Sequence, residues 1–370
     1  MKVGFLAGTL GRGGAERQLI YMLQALKAEQ IETRVLCLTK GEAFEQEIRE
    51  LGVDVDWIGS TRNQFIRLRR IVQNVRERPV DILQSVHFYT NFYAAVAGRV
   101  SRVRNIGAIR NDLTSEIKAN HIFGKWHLKL PQRLIANSQI AVDRAIAKGI
   151  LPENIELVRN VVTGKSGEIN LRSTDANSVR ILFAGRLVPQ KRPELFIEMA
   201  SQLCERLFDV NLEFVIAGDG PLRSDLEHLA QKHNLENKGV KFAGETSEMS
   251  ELYLSSDILV LTSDHEGTPN VILEAMAYGL PVVATTVGGV PGILNDRCGI
   301  LVEPTNIEEL VAAASKLIAN RKLRLEMGIQ GKEYVRKNHS IGYLQDRLKF
   351  IYSELIRTSI AKSESRSTSQ

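Results

Sequence analysis

Two carboxylates eight residues apart, Glu266 and Glu274, bracket the stretch Glu266-Gly267-Thr268-Pro269-Asn270-Val271-Ile272-Leu273-Glu274. The spacing reads as a loop carboxylate and a helix carboxylate on either side of a helix start. Thr268 can cap that helix, and Pro269 suits its first position, where a missing N–H costs nothing. The N–H groups of Asn270, Val271 and Ile272 then lack intrahelical acceptors and sit at the positive end of the helix dipole. Such a start attracts an anion. Glu274 lies one turn beyond Asn270, about 6 Å along the axis. A ligand anionic in the middle and rich in hydroxyls at both ends suits this layout. A nucleotide sugar, with its sugar, diphosphate and ribose, is such a ligand.

The cations for a diphosphate are present in Gly185-Arg186-Leu187-Val188-Pro189-Gln190-Lys191, which leaves an apolar strand-like run and precedes a helical one. Arg186 offers a planar fork and Lys191 a point charge, so together they neutralise a diphosphate without a metal. Alone, this stretch reads equally as a solvated turn. Paired with the carboxylates around Asn270, it converges on one anion. Three glycine-rich turns follow other strand-like runs: Gly11-Arg12-Gly13-Gly14-Ala15-Glu16, Gly218-Asp219-Gly220-Pro221 and Gly288-Gly289-Val290-Pro291. Glycines let backbone approach a ligand closely. The first is not a dinucleotide fingerprint, because that would need glycine where Glu16 stands. For each of these turns, a tight connection without a ligand is an equally good reading.

These motifs need scaffolds to hold them. Short apolar runs alternate with helical ones throughout, as at Val3–Ala7, Ile82–Val86 and Asn105–Ile109, then Arg180–Ala184, Leu212–Ala217 and Ile258–Leu261. That alternation predicts an α/β fold with two doubly wound, Rossmann-like parallel sheets. A chain of 370 residues predicts two domains. The expected spans are 1–165 for an acceptor-binding domain and 178–340 for a nucleotide-sugar-binding domain. The polar stretch between them reads as a linker. A helix over 341–357, able to cross back to the first domain, and a disordered tail over 358–370 close the chain. Motifs at the carboxyl ends of facing sheets would border a cleft.

Composition removes several function classes. The charged fraction of 25% and hydrophobic fraction of 44% are those of an ordinary globular protein. Cys37, Cys204 and Cys298 are scattered, which argues against a disulfide framework or zinc site and fits a reducing cytoplasm. No apolar run approaches the ~20 residues of a membrane helix. Asp54-Val55-Asp56 spells Asp-x-Asp, but it lies in an amphipathic strand far from the phosphate motifs, so no metal is expected there. Residues 1–160 hold 24 Lys/Arg against 16 Asp/Glu. The excess runs through Arg62, Arg67, Arg69, Arg70, Arg76 and Arg78, then Arg99, Arg102 and Arg104, then Lys125, Lys129 and Arg133. A solvated face is one reading. A domain resting on an anionic membrane is the other, at ~1 kcal/mol per basic residue near the headgroups. No nucleic-acid motif is present.

Taken together, the strings Gly185-Arg186-Leu187 with Lys191, Gly218-Asp219-Gly220-Pro221, Glu266 through Met276, Gly279-Leu280-Pro281-Val282-Val283-Ala284 and Gly288-Gly289-Val290-Pro291 resemble the retaining glycosyltransferases of family 4, which have the GT-B fold. The first half is similar through Gly13-Gly14-Ala15-Glu16 and Ile135-Ala136-Asn137-Ser138. The resemblance implies that Arg186 and Lys191 grip the donor diphosphate, Glu266 holds donor-sugar hydroxyls and Glu274 the ribose. Gly13 and Gly14 would close over the phosphates. Gly218, Gly220, Gly267 and Thr268 would complete the donor pocket, with Asn270 and Val271 as backbone donors. It implies no cofactor and no metal, with a UDP-sugar the favoured donor and a glycan or lipid-linked glycan the acceptor.

Three positions depart from the family pattern. Many relatives carry a His after the strand that ends here at Ile109, where this chain reads Arg110-Asn111-Asp112. His87, with Asn91 nearby, and Asp112 are the substitute catalytic candidates. A satisfied strand-end histidine and a helix cap are the plainer readings of the two. Gly292 stands where relatives often have Glu, and Arg159 where they have Pro. The leading expectation is therefore a cytoplasmic glycosyltransferase, open to contact with the inner face of the membrane, serving bacterial surface polysaccharide synthesis. A nucleotide-sugar epimerase on the same scaffold and a non-catalytic nucleotide-sugar-binding subunit are the alternatives.

Overall fold

The computed structural model describes residues 1–61, 63–111, 113–120, 124–163, 178–246 and 248–367. The expected linker, read over Val162–Glu168 and Ser173–Ser178, lies outside them except for Val162, Thr163 and Ser178, the last of which opens a strand. The chain forms two compact α/β units, Met1–Val161 joined by the segment from Ile341, and Val162–Ser340.

The first unit is a seven-stranded sheet built from β1 (Lys2–Ala7), β2 (Glu32–Cys37), β3 (Asp54–Trp57), β4 (Ile82–Ser85), β5 (Arg104–Ile109), β6 (Arg133–Ala136) and β7 (Ile155–Leu157). The order is β3-β2-β1-β4-β5-β6-β7, with every pairing parallel. The chain reverses direction across the sheet between β1 and β4, the position where doubly wound folds bind ligands. Strand β1 is buried from Val3 to Ala7, as a strand covered on both faces must be. Its helices are α1 (Gly14–Ala28), α2 (Glu45–Glu50), α3 (Gln64–Glu77), α4 (Asn91–Ser101), α5 (Leu113–Ala119), α6 (Gly124–Lys129) and α7 (Gln139–Ala147). The three-residue β7 has no periodicity to mark it.

The second unit is a six-stranded parallel sheet. Its strands are β8 (Ser178–Ala184), β9 (Asn211–Ala217), β10 (Val240–Gly244), β11 (Ile258–Leu261), β12 (Val282–Thr285) and β13 (Gly299–Val302). The order is β10-β9-β8-β11-β12-β13, with its reversal between β8 and β11. Helices α8 (Pro193–Arg206), α9 (Arg223–Lys232), α10 (Met249–Leu254), α11 (Asn270–Ala277), α12 (Ile307–Ala319) and α13 (Arg321–Asn338) cover it. Its core layers are separate: Phe183, Phe196, Phe214 and Leu317 belong to one, and Leu259, Ile272, Met276 and Leu294 to the other.

The last helix, α14 (Ile341–Ser367), belongs to the first unit. Leu344, Leu348, Ile351 and Tyr352 enter the same cluster as Phe5, Ile20 and Leu23. Ion pairs fix the register, Arg347 to Glu156 at 2.5 Å and Lys349 to Glu29 at 2.8 Å. The helix runs past Arg357 to Ser367, where a disordered tail is expected. The polar tail has no Pro or Gly before Ser367 to stop the helix.

Candidate active site

At the carboxyl edge of the second sheet, the loop after β8 and the loop after β11 interlock. The Asp264 N–H donates to the Gln190 carbonyl at 2.9 Å, and the Gln190 side chain donates to the His265 carbonyl at 2.8 Å. The Thr262 hydroxyl reaches the carbonyls of Lys191 and Arg192, both at 2.8 Å. Arg192 takes a left-handed backbone, φ 47°, and pairs with Asp264 at 3.1 Å. These bonds hold Lys191 against Glu266. Lys191 Nζ donates to Glu266 Oε1, and Ser263 Oγ donates to the same oxygen at 2.7 Å. The two charged side chains are only 18% and 8% exposed, so the pair is shielded from solvent. Glu266 Oε2 has no partner among the described residues.

Glycine at Gly288 is what lets this loop close. Its φ is 49°, and a Cβ there would run into the Glu266 carbonyl oxygen. Next to it, Gly289 donates to the Gly267 carbonyl at 2.9 Å, and the Thr285 hydroxyl donates to the Ser263 carbonyl at 2.6 Å. Gly218 and Gly220 are used for close packing as well. A Cβ at either would strike the carbonyl of Gly185 or of Leu187. Arg186 is exposed, and its guanidinium has no partner among the described residues.

The helix start differs from expectation by one residue. Asn270 is the first helical residue and Pro269 the flanking one, with φ −70° and ψ 115°. Thr268 therefore stands one place outside the cap, and it is buried with Gly267. Asn270 and Val271 open the helix, and the Ile272 N–H, expected to lack an acceptor, instead donates to the Pro269 carbonyl at 3.2 Å. Within α11, Glu274 Oε2 accepts from the Tyr253 hydroxyl at 2.7 Å. Tyr253 is buried and stacks on Tyr278 at 5.5 Å. Burial and the neighbouring Glu274 push its hydroxyl well above the usual tyrosine range. Ser263 and Tyr253, which orient the two carboxylates, carry no spacing signal in the sequence.

At the carboxyl edge of the first sheet, the loop from Gly8 to Gly14 is held from two sides. On one side, the Gly8 N–H donates to His87 Nδ1 at 3.2 Å. Because Nδ1 accepts, Nε2 carries the proton and donates to Glu16 Oε1 at 2.9 Å. The ring stacks on Tyr89 at 5.2 Å, and burial with Glu16 pushes the Tyr89 hydroxyl up to about 12. Gly13 precedes α1 and Gly14 opens it, and a Cβ on Gly13 would strike the Glu16 carboxylate. On the other side, Glu42 accepts from the Leu10 amide, from Thr9 Oγ1 at 2.8 Å and from Thr39 Oγ1 at 2.5 Å. Partial burial alone would raise the Glu42 carboxyl, but these donors together hold it below the usual carboxylate value. Nothing in the spacing around Glu42 announces this role.

Asn91, read beside His87, is a buried staple. Its side chain donates to the carbonyls of Ala108 and His127 and accepts from the Ala108 N–H at 2.8 Å. Asp112 lies outside the described residues. Asp54 and Asp56 are taken up by arginines, Arg78 with both and Arg34 with Asp56 at 2.7 Å. Among the described residues no cluster of His, Cys, Asp and Glu forms a metal site. No described helix is long and apolar enough to cross a membrane.

Residues 12–163 match the family described as Glycosyltransferase Family 4, and residues 171–334 match Glycosyl transferases group 1. The chain belongs to the glycosyltransferases. It is 26% identical to a Campylobacter jejuni α-1,4-N-acetyl-D-galactosaminyltransferase named for a diNAcBac-PP-undecaprenol acceptor, over 86% of this chain and 88% of that one. It is 27% identical to the Escherichia coli UDP-Gal:α-D-GlcNAc-diphosphoundecaprenol α-1,3-galactosyltransferase, over 56% of this chain and 54% of that one. Several curated relatives are matched over about half of their length. The fold is that of Anabaena Alr3699/HepE, solved in complex with UDP, at a TM-score of 0.81 and 21% identity, covering 96% of this chain and all of that one. The GT-B class follows from this likeness and from the two parallel sheets.

Within this glycosyltransferase, the second unit brings Lys191, Glu266, Gly267 and the start of α11 together as one interlocked body. Arg186 stands open at its rim. In the first unit Glu16 bonds His87, and the same carboxylate stands where a Cβ on Gly13 would fall. His87 has both ring nitrogens engaged.

Proposed function

We propose that the chain transfers a hexosyl group from a nucleotide sugar, UDP-linked by preference, to a glycan or lipid-linked glycan acceptor with retention of configuration. Bacterial surface polysaccharide synthesis is the setting this reading favours. The observation that carries it is the shielded Lys191–Glu266 pair with exposed Arg186 on the same loop as Lys191. A paired lysine is fixed in place, and an unpaired arginine is available for phosphate. The free Oε2 of Glu266 is available to accept from a sugar hydroxyl.

The chemistry needs negative charge stabilised as it develops. The bond between the anomeric carbon and the terminal phosphate oxygen breaks, and its electron pair stays on the phosphate. Arg186, Lys191 and the first amides of α11 meet that charge without reorganising. The acceptor hydroxyl oxygen bonds to the same face of the anomeric carbon, and its proton passes to the departing phosphate oxygen. No enzymic nucleophile is required. A sugar covalently trapped on any residue of the chain would rule this route out.

Contact with an anionic membrane is supported by α3, which presents Phe65, 84% exposed, and Ile66 beside exposed Arg69 and Arg70. Apolar side chains next to arginines suit an anionic lipid surface. Flotation with phosphatidylglycerol vesicles and with phosphatidylcholine vesicles tests it, and equal recovery with both removes the membrane from the reading.

Calorimetric titration with UDP, GDP and ADP tests the central assignment. One nucleotide should bind selectively, and Arg186→Ala should weaken it ~10–100-fold, as loss of a charge-assisted contact of ~1.5–3 kcal/mol requires. Wild-type protein that binds none of the three would sink the donor assignment.

A further inference from the structure

Arg110 is the first residue past β5, at the carboxyl edge of the first sheet, where a histidine is expected from the family pattern. The side-chain acceptor its guanidinium has is the thioether of Met22, 3.6 Å from one terminal nitrogen. Sulfur of this kind is a weak acceptor. Its Nε is sealed from solvent without a partner, and no oxygen among the described residues accepts from the guanidinium. Elsewhere in the same unit, shielded arginines meet oxygens: Arg34 pairs with Asp56 at 2.7 Å and Arg133 with Glu156 at 3.3 Å, and Arg67, whose Nε is also sealed, donates to the Thr61 carbonyl at 2.7 Å. Glu116 stands next to Arg110 but is not used this way. Its Oε1 accepts from the Arg110 backbone N–H at 3.4 Å, and its Oε2 is sealed without a partner. As a whole residue Arg110 retains some exposure.

We infer that Arg110 anchors an oxyanion, a carboxylate or a phosphate, carried by the sugar that this unit handles. A planar guanidinium fork matches either group through two parallel bonds. An arginine held without such a partner costs stability that an apolar side chain of similar volume would not. Burial lowers Arg110 to about 10 and raises Glu116 to about 8, so both shifts run against an ion pair between the two. That the ligand is a sugar rests on the glycosyl-transfer reading above. The anion can sit on the donor sugar or on the acceptor, and the test separates the two.

Wild type, Arg110→Met and Arg110→Gln are compared by calorimetry and thermal melting. The donor arm pairs UDP-glucuronate with UDP-glucose. The acceptor arm pairs glucuronate and glucose 1-phosphate with glucose, with and without saturating UDP. In one arm the charged ligand should bind wild type at least tenfold better than its neutral twin. That preference should vanish in Arg110→Met, with UDP affinity unchanged and the melting temperature raised. If Arg110→Met does not fold, Arg110→Gln carries the same comparison. Wild type that does not distinguish charged from neutral sugar overturns the assignment, and so does a preference that survives loss of the arginine. Protein that binds no UDP breaks the transfer reading instead, and the free-sugar arm run without UDP still decides on Arg110.

Discussion

At the carboxyl edge of the second sheet, opposite charges face each other across two loops, Lys191 on Glu266, while Arg186 is left open. At the same edge of the first sheet, the carboxylates Glu16 and Glu42 turn inward onto the glycine loop, and the guanidinium of Arg110, just past β5, meets no oxygen among the described residues. Both edges are switch points of doubly wound sheets, so topology alone places a ligand at each. The difference is in preorganisation. The second unit holds a shielded ion pair between two interlocked loops, which in the proposed function is the preorganised site for a nucleotide diphosphate. The first unit fixes its loop backbone and, among the described residues, leaves the Arg110 charge without an oxygen partner; in the proposed function this is the unit that reads the acceptor.

The largest effect should come from breaking the organised edge. Lys191→Met leaves the Glu266 carboxylate shielded with only Ser263 on it. Removing one partner of such a pair costs ~3–5 kcal/mol. Chemical denaturation should show that loss, and Lys191→Met/Glu266→Gln should recover much of it. Turnover should fall ~10²–10³-fold in both variants, since a donor to the developing charge is gone. Full stability in Lys191→Met would mean that the pair is not held as shielded as its geometry indicates.

How much of this was legible differs between the same two regions. Around Glu266 the residues sit within one run, and the helix start, the Gly pair at 288–289 and the cation loop each mark themselves by type and spacing. What stayed hidden there is Ser263, three residues before Glu266 with no spacing signal of its own, and Tyr253, whose hydroxyl reaches Glu274 from α10, 21 residues away. In the first unit the decisive contacts span far more chain, Gly8 to His87 across 79 residues and Leu10 to Glu42 across 32. No local period encodes a bond between two loops. Element boundaries fared better, because buried parallel strands announce themselves as apolar runs. The cap of α11 shifted by one residue because Pro269 keeps an extended ψ of 115°.

The second prediction separates chemistry from scaffolding at the first edge. A general acid or base at His87 would contribute ~10²–10⁴-fold to turnover. Its two nitrogens are committed to Gly8 and Glu16, so His87→Asn, which can still accept and donate, should keep kcat within about tenfold. His87→Phe should lose stability, because the Gly8 amide and Glu16 then lack their partner, at ~1–3 kcal/mol per stranded group. A collapse of kcat in His87→Asn with normal melting would return the ring to a catalytic role.

The third concerns pH. Burial raises the Glu116 carboxyl to about 8 from an ordinary 4.5, against the backbone donors Arg110 and Asn111 and the Arg110 charge. The folded state therefore holds a proton that the unfolded chain releases near 4.5. The stability this contributes is complete below about 4.5 and is lost as pH rises through about 8. Denaturation midpoints of wild type should decline across that window, and Glu116→Gln should remove this part of the decline. An identical slope in the variant would show that Glu116 titrates as an ordinary surface carboxylate.

The smallest effect sharpens the comparison most, because it separates the two ends of one ligand. Tyr253→Phe removes a single hydrogen bond to Glu274 and leaves the stack on Tyr278 intact. A bond of this kind is worth ~1 kcal/mol, or about fivefold in affinity. If Glu274 holds the ribose, UDP should bind about fivefold more weakly to the variant, while pyrophosphate, which has no ribose, should bind as it does to wild type. Equal weakening of both ligands would instead place the Tyr253 contact in the framework of the phosphate site. In that case the start of α11 and its glutamate would act as one unit, and the division of the nucleotide between Arg186 at one end and Glu274 at the other would have to be redrawn.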